Sequence, residues 1–278
     1  MNTDRDKKPI LVIGSSGKTG GRVAARLRER GVEVREGGRS SSPPFDWDDR
    51  DTWGPALEGV RGAYVSYYPD IAVPGAADAI AEVTALAIAA GAEHLVLLSG
   101  RGEPEARRCE RILEQAEIDS TIIRSSWFAQ NFSESFFREP LLGGVLALPA
   151  NGVAEPFIDV EDIAEIAAVA LTEDGHRGEL YEVTGPRLLT FGDAVAEIAG
   201  ASGRELRYEA ISNDEFRAGL AAEGVPDDVV GVLDFLFNEV LDGRNQSTAD
   251  GVRRALGREP RDFADFAREA AAKGAWDA

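Results

Sequence analysis

The feature that most constrains this chain is a short apolar run, Ile10-Leu11-Val12-Ile13, that stops at Gly14-Ser15-Ser16-Gly17-Lys18-Thr19-Gly20. Residues 20–30 then carry apolar side chains at 23, 24 and 27 with charges between them, the pattern of an amphipathic helix. A strand, a G-x-x-G-x-x-G loop and a helix in that order suit dinucleotide binding. Glycines permit the tight turn and the close approach of backbone to a pyrophosphate. The first N–H groups of the helix have no partner within it, and the aligned peptide dipoles favour negative charge there. Gly17-Lys18-Thr19 also matches the end of a Walker A loop, but that motif needs a glycine five residues before Gly17. Val12 stands there, inside the strand, which argues against a triphosphate loop.

Periodicity along the first 185 residues alternates between strand and helix. Strands are expected at 10–13, 32–36, 63–67, 94–99, 120–124 and 180–184, with helices at 20–30, 76–90, 105–116 and 163–171. Such alternation predicts βαβ units and a doubly wound parallel α/β sheet of Rossmann type. After Thr190 the pattern turns mostly helical: 191–201, 212–223, 227–242 and 262–271, with one short strand at 206–210. The expected organisation is a dinucleotide-binding domain over 1–150, completed by 157–185, and a small C-terminal helical substrate lobe over 186–278.

Composition excludes several alternatives. Apolar residues make up 44% of the 278, enough for a packed core. The start is polar and no stretch is long and apolar enough for a signal peptide or a membrane span, so a cytoplasmic protein without membrane contact is expected. Cys109 is the single cysteine, which rules out an internal disulfide. His94 and His176 are the two histidines; their spacing matches no zinc motif, so no metal is expected, and both read as surface or strand-flanking residues. The net charge of −19 repels phosphate backbones, so no nucleic-acid partner is expected. The best basic cluster, 101–111, is interleaved with Glu103, Glu105 and Glu110 and reads as a solvated helix face.

The second strand sets the dinucleotide preference. An NAD site usually has Asp or Glu about 20 residues beyond the loop, on the ribose hydroxyls. Nineteen residues after Gly20 comes Arg39, followed by Ser40, Ser41 and Ser42. A cation and hydroxyls suit a 2′-phosphate, and Lys18 can add a second cation, so NADPH is favoured, with NADH still possible. Glu36 dissents, but it should lie on the strand. The competing reading of Arg39 is a loop arginine paired with Asp46 or Asp48.

Several segments together resemble the NmrA-like branch of the atypical short-chain dehydrogenases. They are the glycine loop, 65–69, Leu97-Leu98-Ser99, the run 121–132 beginning Thr121-Ile122-Ile123-Arg124-Ser125-Ser126-Trp127-Phe128, and 156–164. Phe45-Asp46-Trp47 with Thr52-Trp53, and Thr190-Phe191 after Gly185-Pro186, are similar to the festuclavine-dehydrogenase-like and quinone-reducing members. The resemblance runs nearly end to end. It implies a Rossmann sheet with a helical lobe over the nicotinamide. It also implies cofactor contacts from Gly14, Ser15, Ser16, Gly17, Lys18, Thr19, Gly20, Arg39 and Ser40, from Asp46 and Trp47 near the adenine, and from Ser66, Tyr67 and Tyr68. Ser99 and the segment Ser125, Ser126, Trp127, Phe128 are implied beside the nicotinamide. Relatives commonly read Arg-Pro-Gly-Trp-Phe where this chain has Arg124-Ser125-Ser126-Trp127-Phe128.

Catalysis departs from the usual pattern. Short-chain dehydrogenases use Tyr-x-x-x-Lys as general acid, but the four lysines here, at 7, 8, 18 and 273, follow no tyrosine at that spacing. Some relatives keep a lysine on the helix after Ser99; Arg107 or Arg108 occupies that region. A guanidinium does not donate its proton at neutral pH but can stabilise an anion, so Arg108 and Ser99 are the catalytic candidates. Reducing a simple ketone makes an alkoxide and demands an acid. A quinone instead gives a phenolate-like anion, with a conjugate acid near the tyrosine value of about 10, and an iminium already carries its charge.

The expectation is therefore an oxidoreductase acting on a quinone, an iminium or another conjugated aromatic metabolite. Secondary metabolism is the expected setting, with a possible role as reducing component of a monooxygenase with a small protein partner. A non-catalytic NADP(H)-sensing regulator is the competing expectation, and a monomer and a homodimer are equally open. Phe128, Phe132 and Phe136 fall at helical spacing, either core or the wall of an aromatic substrate pocket. Ser126, Trp127 and Asn131 would join them, and Phe235 with Phe237 on an apolar helix would close a lid.

Overall fold

A computed structural model describes residues 8–150 and 152–277. The polar start over 1–7, read above as lacking a signal, lies outside the described residues. The first half runs β1 (Ile10–Ile13), α1 (Lys18–Glu29), β2 (Val34–Gly37), α2 (Trp53–Leu57), β3 (Gly62–Val65), α3 (Ala76–Ala89), β4 (His94–Gly100), α4 (Pro104–Gln115) and β5 (Asp119–Ser125). Then come α5 (Asn131–Glu134), α6 (Arg138–Leu142), β6 (Val145–Leu148), β7 (Ala154–Glu155), α7 (Val160–Thr172), β8 (Leu180–Val183), β9 (Leu189–Thr190) and α8 (Phe191–Ser202). The rest is β10 (Arg207–Ala210), α9 (Asn213–Ala222), α10 (Asp227–Phe235), a π-helical turn over Leu236–Val240, α11 (Gly251–Leu256) and α12 (Phe263–Ala272).

These elements form two compact units. The first holds the chain up to Ser125 with Val160–Val183 and Asp250–Arg258. The second holds Ser126–Asp159, Thr184–Ala249 and the chain from Glu259 onward. The chain passes between the units several times, so neither is one continuous stretch.

The first unit is a six-stranded, all-parallel sheet in the order β2-β1-β3-β4-β5-β8. Its central strands β1, β3 and β4 are apolar and buried nearly throughout because both faces are covered. Leu11, Ile13, Ala63, Val65, Leu95 and Leu97 pack with α2, α3 and α4 on one face. Ile10, Val12, Tyr64 and Val96 are equally buried on the other, the face of α1 and α7. Arg22 and Arg26 of α1 and its C-cap Arg30 pair with Glu161 and Glu165 of α7, fixing those helices side by side. The strand order reverses between β1 and β3, and in such sheets ligands bind outside the carboxyl ends of the strands at that point.

The second unit is built on aromatics. Phe132, Phe137, Phe157, Phe191, Phe237 and Phe263 are at most 3% exposed and meet one another edge-to-face or tilted, as ring quadrupoles prefer. Two small sheets frame them, a parallel β10–β6 pair and an antiparallel β7–β9 pair. Helix α8 opens with a capping box, Thr190 and Asp193 each bonding the other's backbone N–H.

The expected stripe Phe128, Phe132 and Phe136 is not one helix face. Only Asn131–Glu134 is helical there; Phe128 bridges to Ile158, Phe132 is fully buried and Phe136 is 42% exposed. The expected helix 227–242 breaks at Phe235, and the wider π turn carries Phe237 into the core.

Candidate dinucleotide site

The glycine loop is held by its own backbone. Gly14 N–H donates to the Gly37 carbonyl at the end of β2 (2.8 Å), and Gly17 N–H donates back to the Gly14 carbonyl (2.8 Å). Gly20 is where the loop meets the helix most closely: a Cβ there would stand 2.2 Å from the Gly14 oxygen. Gly17 caps α1 without a side-chain bond, and no acidic residue sits in the first turn. An uncapped first turn and the positive end of the helix suit an anion. Ser15 and Ser16 form the rim of the turn, Thr19 is buried and Lys18 is half-buried. The lysine's charge acts on Asp70, lowering a carboxyl that burial pushes upward.

The loops after β2 and β3 stand against this turn. A Cβ on Gly14 would touch Ser66 Cβ at 3.5 Å, and one on Gly38 would lie 3.9 Å from Ser15 Oγ. Glu36 is on β2 as expected, and Arg28 of α1 holds it at 2.6 Å. Arg39 and Ser40 are exposed in the next turn. Among the described residues Arg39 has no ion pair; Asp46 Oδ1 instead accepts the Asp48 N–H. Trp47 donates its indole N–H to the Ser66 carbonyl (3.1 Å), and its ring lies 4.7 Å from Tyr67. Trp53 donates to the Asp46 carbonyl (2.7 Å). Two loops far apart in sequence thereby share an aromatic wall of Trp47 and Tyr67, with Tyr68 beside it and 66% exposed.

The ends of β4 and β5 carry a buried ionic network. Glu110, fully buried on α4, accepts Arg124 Nε (2.8 Å) and Nη2 (2.7 Å), Arg107 Nη1 (2.6 Å) and the Ser99 hydroxyl (2.7 Å). Arg124 and Arg101 both reach Glu182 on β8. Burial pushes the Glu110 carboxyl up, while Ser99 and Arg107 pull it down. The 101–111 segment is therefore not wholly a solvated face, and a signal for this existed. Ala106, Cys109, Glu110 and Leu113 have the i, i+3, i+4, i+7 spacing of a buried stripe, with a carboxylate inside it.

This network changes the roles of three expected residues. The Ser99 hydroxyl is 1% exposed and bound to Glu110, so it anchors the network. Ser125, equally inside the sheet, donates to the Ser99 carbonyl (3.2 Å). Arg108 points to solvent and pairs with Glu105 one turn back (2.8 Å).

Within the second unit, the expected substrate residues divide. The Ser126 hydroxyl is buried on the Pro156 carbonyl (2.6 Å), and Phe132 is core, with its carbonyl taking the Trp276 indole N–H (2.8 Å). Phe237 is also core rather than lid. Trp127, Phe128, Asn131 and Phe235 keep partial exposure. Trp127 rests on Phe137, Phe191 and Phe237.

Sheet order, glycine loop and switch point together define a doubly wound dinucleotide fold of the Rossmann class. No protein-family model matches the chain. It is 30% identical over 277 residues to the uncharacterized oxidoreductase YesF of Bacillus subtilis, covering 96% of each. It is likewise 30% identical over 278 residues to agroclavine dehydrogenase of Claviceps fusiformis, covering 92% of this chain and 95% of that one. Among solved structures, the NADPH-dependent quinone oxidoreductase QOR2 of Escherichia coli, complexed with NADPH, superposes with a TM-score of 0.77 at 22% identity, covering 94% of this chain and 99% of that one. NmrA, a negative transcriptional regulator in complex with NAD, superposes with a TM-score of 0.62 at 16% identity, covering 96% and 98%. The chain belongs to the NmrA-like branch of the atypical short-chain dehydrogenases and reductases, and it is an oxidoreductase.

Proposed function

We propose that this protein is an NADPH-dependent reductase of quinones or other conjugated aromatic acceptors. The observation that carries the cofactor assignment is Arg39. Among the described residues it has no ion pair, and it follows β2 beside an uncapped glycine loop, while Glu36, the acid that would favour the ribose hydroxyls of NADH, is held by Arg28. The residues fit the group: the Gly20 cradle has no room for a side chain, and the α1 N-terminus has no competing anion of its own. Gly14 to Gly20 would hold the pyrophosphate, Arg39 and Ser40 the 2′-phosphate, and Trp47, Tyr67 and Tyr68 the adenine side. Bound there, the reduced nicotinamide would supply hydride.

The acceptor class follows from what the chain lacks and from its relatives. There is no Tyr-x-x-x-Lys pair, so an acceptor whose reduced form is a weakly basic phenolate suits it better than a simple ketone. QOR2 is by name a quinone reductase. Trp127, Phe128, Asn131 and Phe235 are the second unit's candidates for a flat substrate.

The test follows NADPH absorbance with a panel of quinones, iminium compounds and enones, with and without dioxygen. Quinone turnover supports the reading. Oxygen uptake coupled to a hydroxylated product would add a role as the reducing half of an oxygenase system. Tight NADPH binding with no turnover on any acceptor would defeat the reductase and favour a sensor. Arg39→Asp should weaken NADPH binding at least tenfold relative to NADH; equal losses would remove the cofactor assignment.

A further inference from the structure

Glu103 is the group that the reductase reading leaves unused. It lies three residues beyond the end of β4 and stands at the N-cap of α4, yet its side chain makes no capping bond. The carboxyl instead folds back over the strand end. A Cβ on Gly100 would meet Glu103 Oε2 at 1.9 Å, Cδ at 2.3 Å and Oε1 at 2.5 Å, so the carboxyl fills the space a side chain at 100 would take. Oε2 is sealed from solvent without a partner, and among the described residues the carboxyl makes no hydrogen bond or ion pair. A buried polar group without a partner is costly, and a charged one more so, so an unpartnered carboxyl here calls for a physical reason.

The charged groups around it are acidic on two sides. Asp70, in the loop after β3, and Glu110, on α4 itself, both raise its proton affinity, adding to the larger effect of burial. Glu110 is already engaged by Arg107 and Arg124, Asp70 is within the influence of Lys18 at the glycine loop, and among the described residues no cation pairs with Glu103. The positive end of α4 opposes this but makes no bond to the carboxyl. The resultant lies well above the usual carboxylate range, as for carboxylic acids kept neutral so that they can donate.

We propose that Glu103 is the general acid of this enzyme, giving its proton through Oε1, the oxygen that is not sealed, to the acceptor as it is reduced. The inference rests on the reductase reading above. A quinone that gains a hydride, two electrons and one hydrogen, carries its negative charge on the ring oxygen. The O–H bond of the Glu103 carboxyl breaks and a new O–H bond forms there, completing the quinol. The carboxylate left behind takes a proton from water. Gly100 makes the arrangement possible, since any side chain there would evict the carboxyl from the end of β4.

Three measurements test this. In infrared difference spectra of wild type against Glu103→Gln, with NADP⁺ bound at pH 7, the protonated carboxyl C=O band of Glu103 should be present. Its absence overturns the proposal whatever the activity. With menadione, Glu103→Gln should lower kcat by about 100-fold and remove the alkaline limb of its pH profile, leaving NADPH affinity unchanged. Gly100→Ala, which displaces only the flexible end of Glu103, should lower the carboxyl's proton affinity and reproduce part of the kcat loss; it also serves if Glu103→Gln does not fold. Wild-type turnover with both variants unchanged overturns the role of Glu103 alone. No turnover by the wild type overturns the reductase reading and this role with it.

Discussion

At the scale of single residues, buried charge and buried imidazole decide more than their positions in the sequence suggest. His94 was expected at the surface or flanking a strand, but it is 5% exposed at the start of β4. Its Nε2 lies 2.9 Å from Thr121 Oγ1, which itself donates to the His176 carbonyl (2.6 Å). With that hydroxyl proton committed, His94 Nε2–H is the donor to Thr121 Oγ1. Burial, with Arg177 nearby, lowers His94 to about 4 from an ordinary 6.5. A depressed folded value gives stability that is present above about 6.5 and is lost as pH falls toward 4, at most about 3 kcal/mol. Urea unfolding at pH 7 and pH 4.5 should show a larger loss for wild type than for His94→Gln; equal losses would rule this out. Arg124→Met should cost about 3 kcal/mol by leaving fully buried Glu110 short of its main partner. A chemical-denaturation difference under 1 kcal/mol would mean that Arg107 alone suffices.

At the scale of elements, the legible ones were those whose periodicity is uninterrupted and whose ends are marked. The strand–loop–helix at β1 and α1 needed no tertiary information: four apolar residues, three spaced glycines and an amphipathic stripe have one consistent reading. Gly20→Ala tests that element. The added methyl would meet backbone at 2.2 and 2.6 Å, which cannot swing aside as a side chain would. Overpacking of this kind costs about 1–3 kcal/mol, and NADPH affinity should fall by more than tenfold, both measurable by thermal shift and fluorescence titration. An unaltered affinity would mean that the loop does not carry the phosphates. Less legible were α5, four residues long, and the π turn after α10, because aromatic packing and not local propensity ends them. Strands as short as β7 and β9, two residues each, leave no periodic trace.

At the scale of the whole molecule, charge is the dominant global quantity. The chain has 49 acidic against 30 basic residues, net −19. Its surface ion pairs, such as Arg28 with Glu36, contribute at most about 1 kcal/mol each, and salt weakens them. Net self-repulsion extends over the surface and is weakened by the same salt. Repulsion is the larger effect at this imbalance. Raising salt from about 0.01 M to 0.15 M shortens the screening length from about 30 to 8 Å, so Tm should rise by a few degrees. A falling Tm over that range would show that ion pairs outweigh repulsion.

The sequence by itself determined the parallel α/β class, the glycine loop and the position of Arg39. Each is written in local spacing, and local spacing fixes which backbone groups and which face a segment presents. Only the tertiary structure decided which polar residues are withdrawn from solvent. Ser99, Glu110 and Arg124 come together from three elements, and Glu103 reaches its place only because Gly100 leaves room. Burial and proton affinity depend on neighbours brought from distant parts of the chain, and residues such as Ser126 and Phe132 look the same in sequence whether they line a pocket or fill a core.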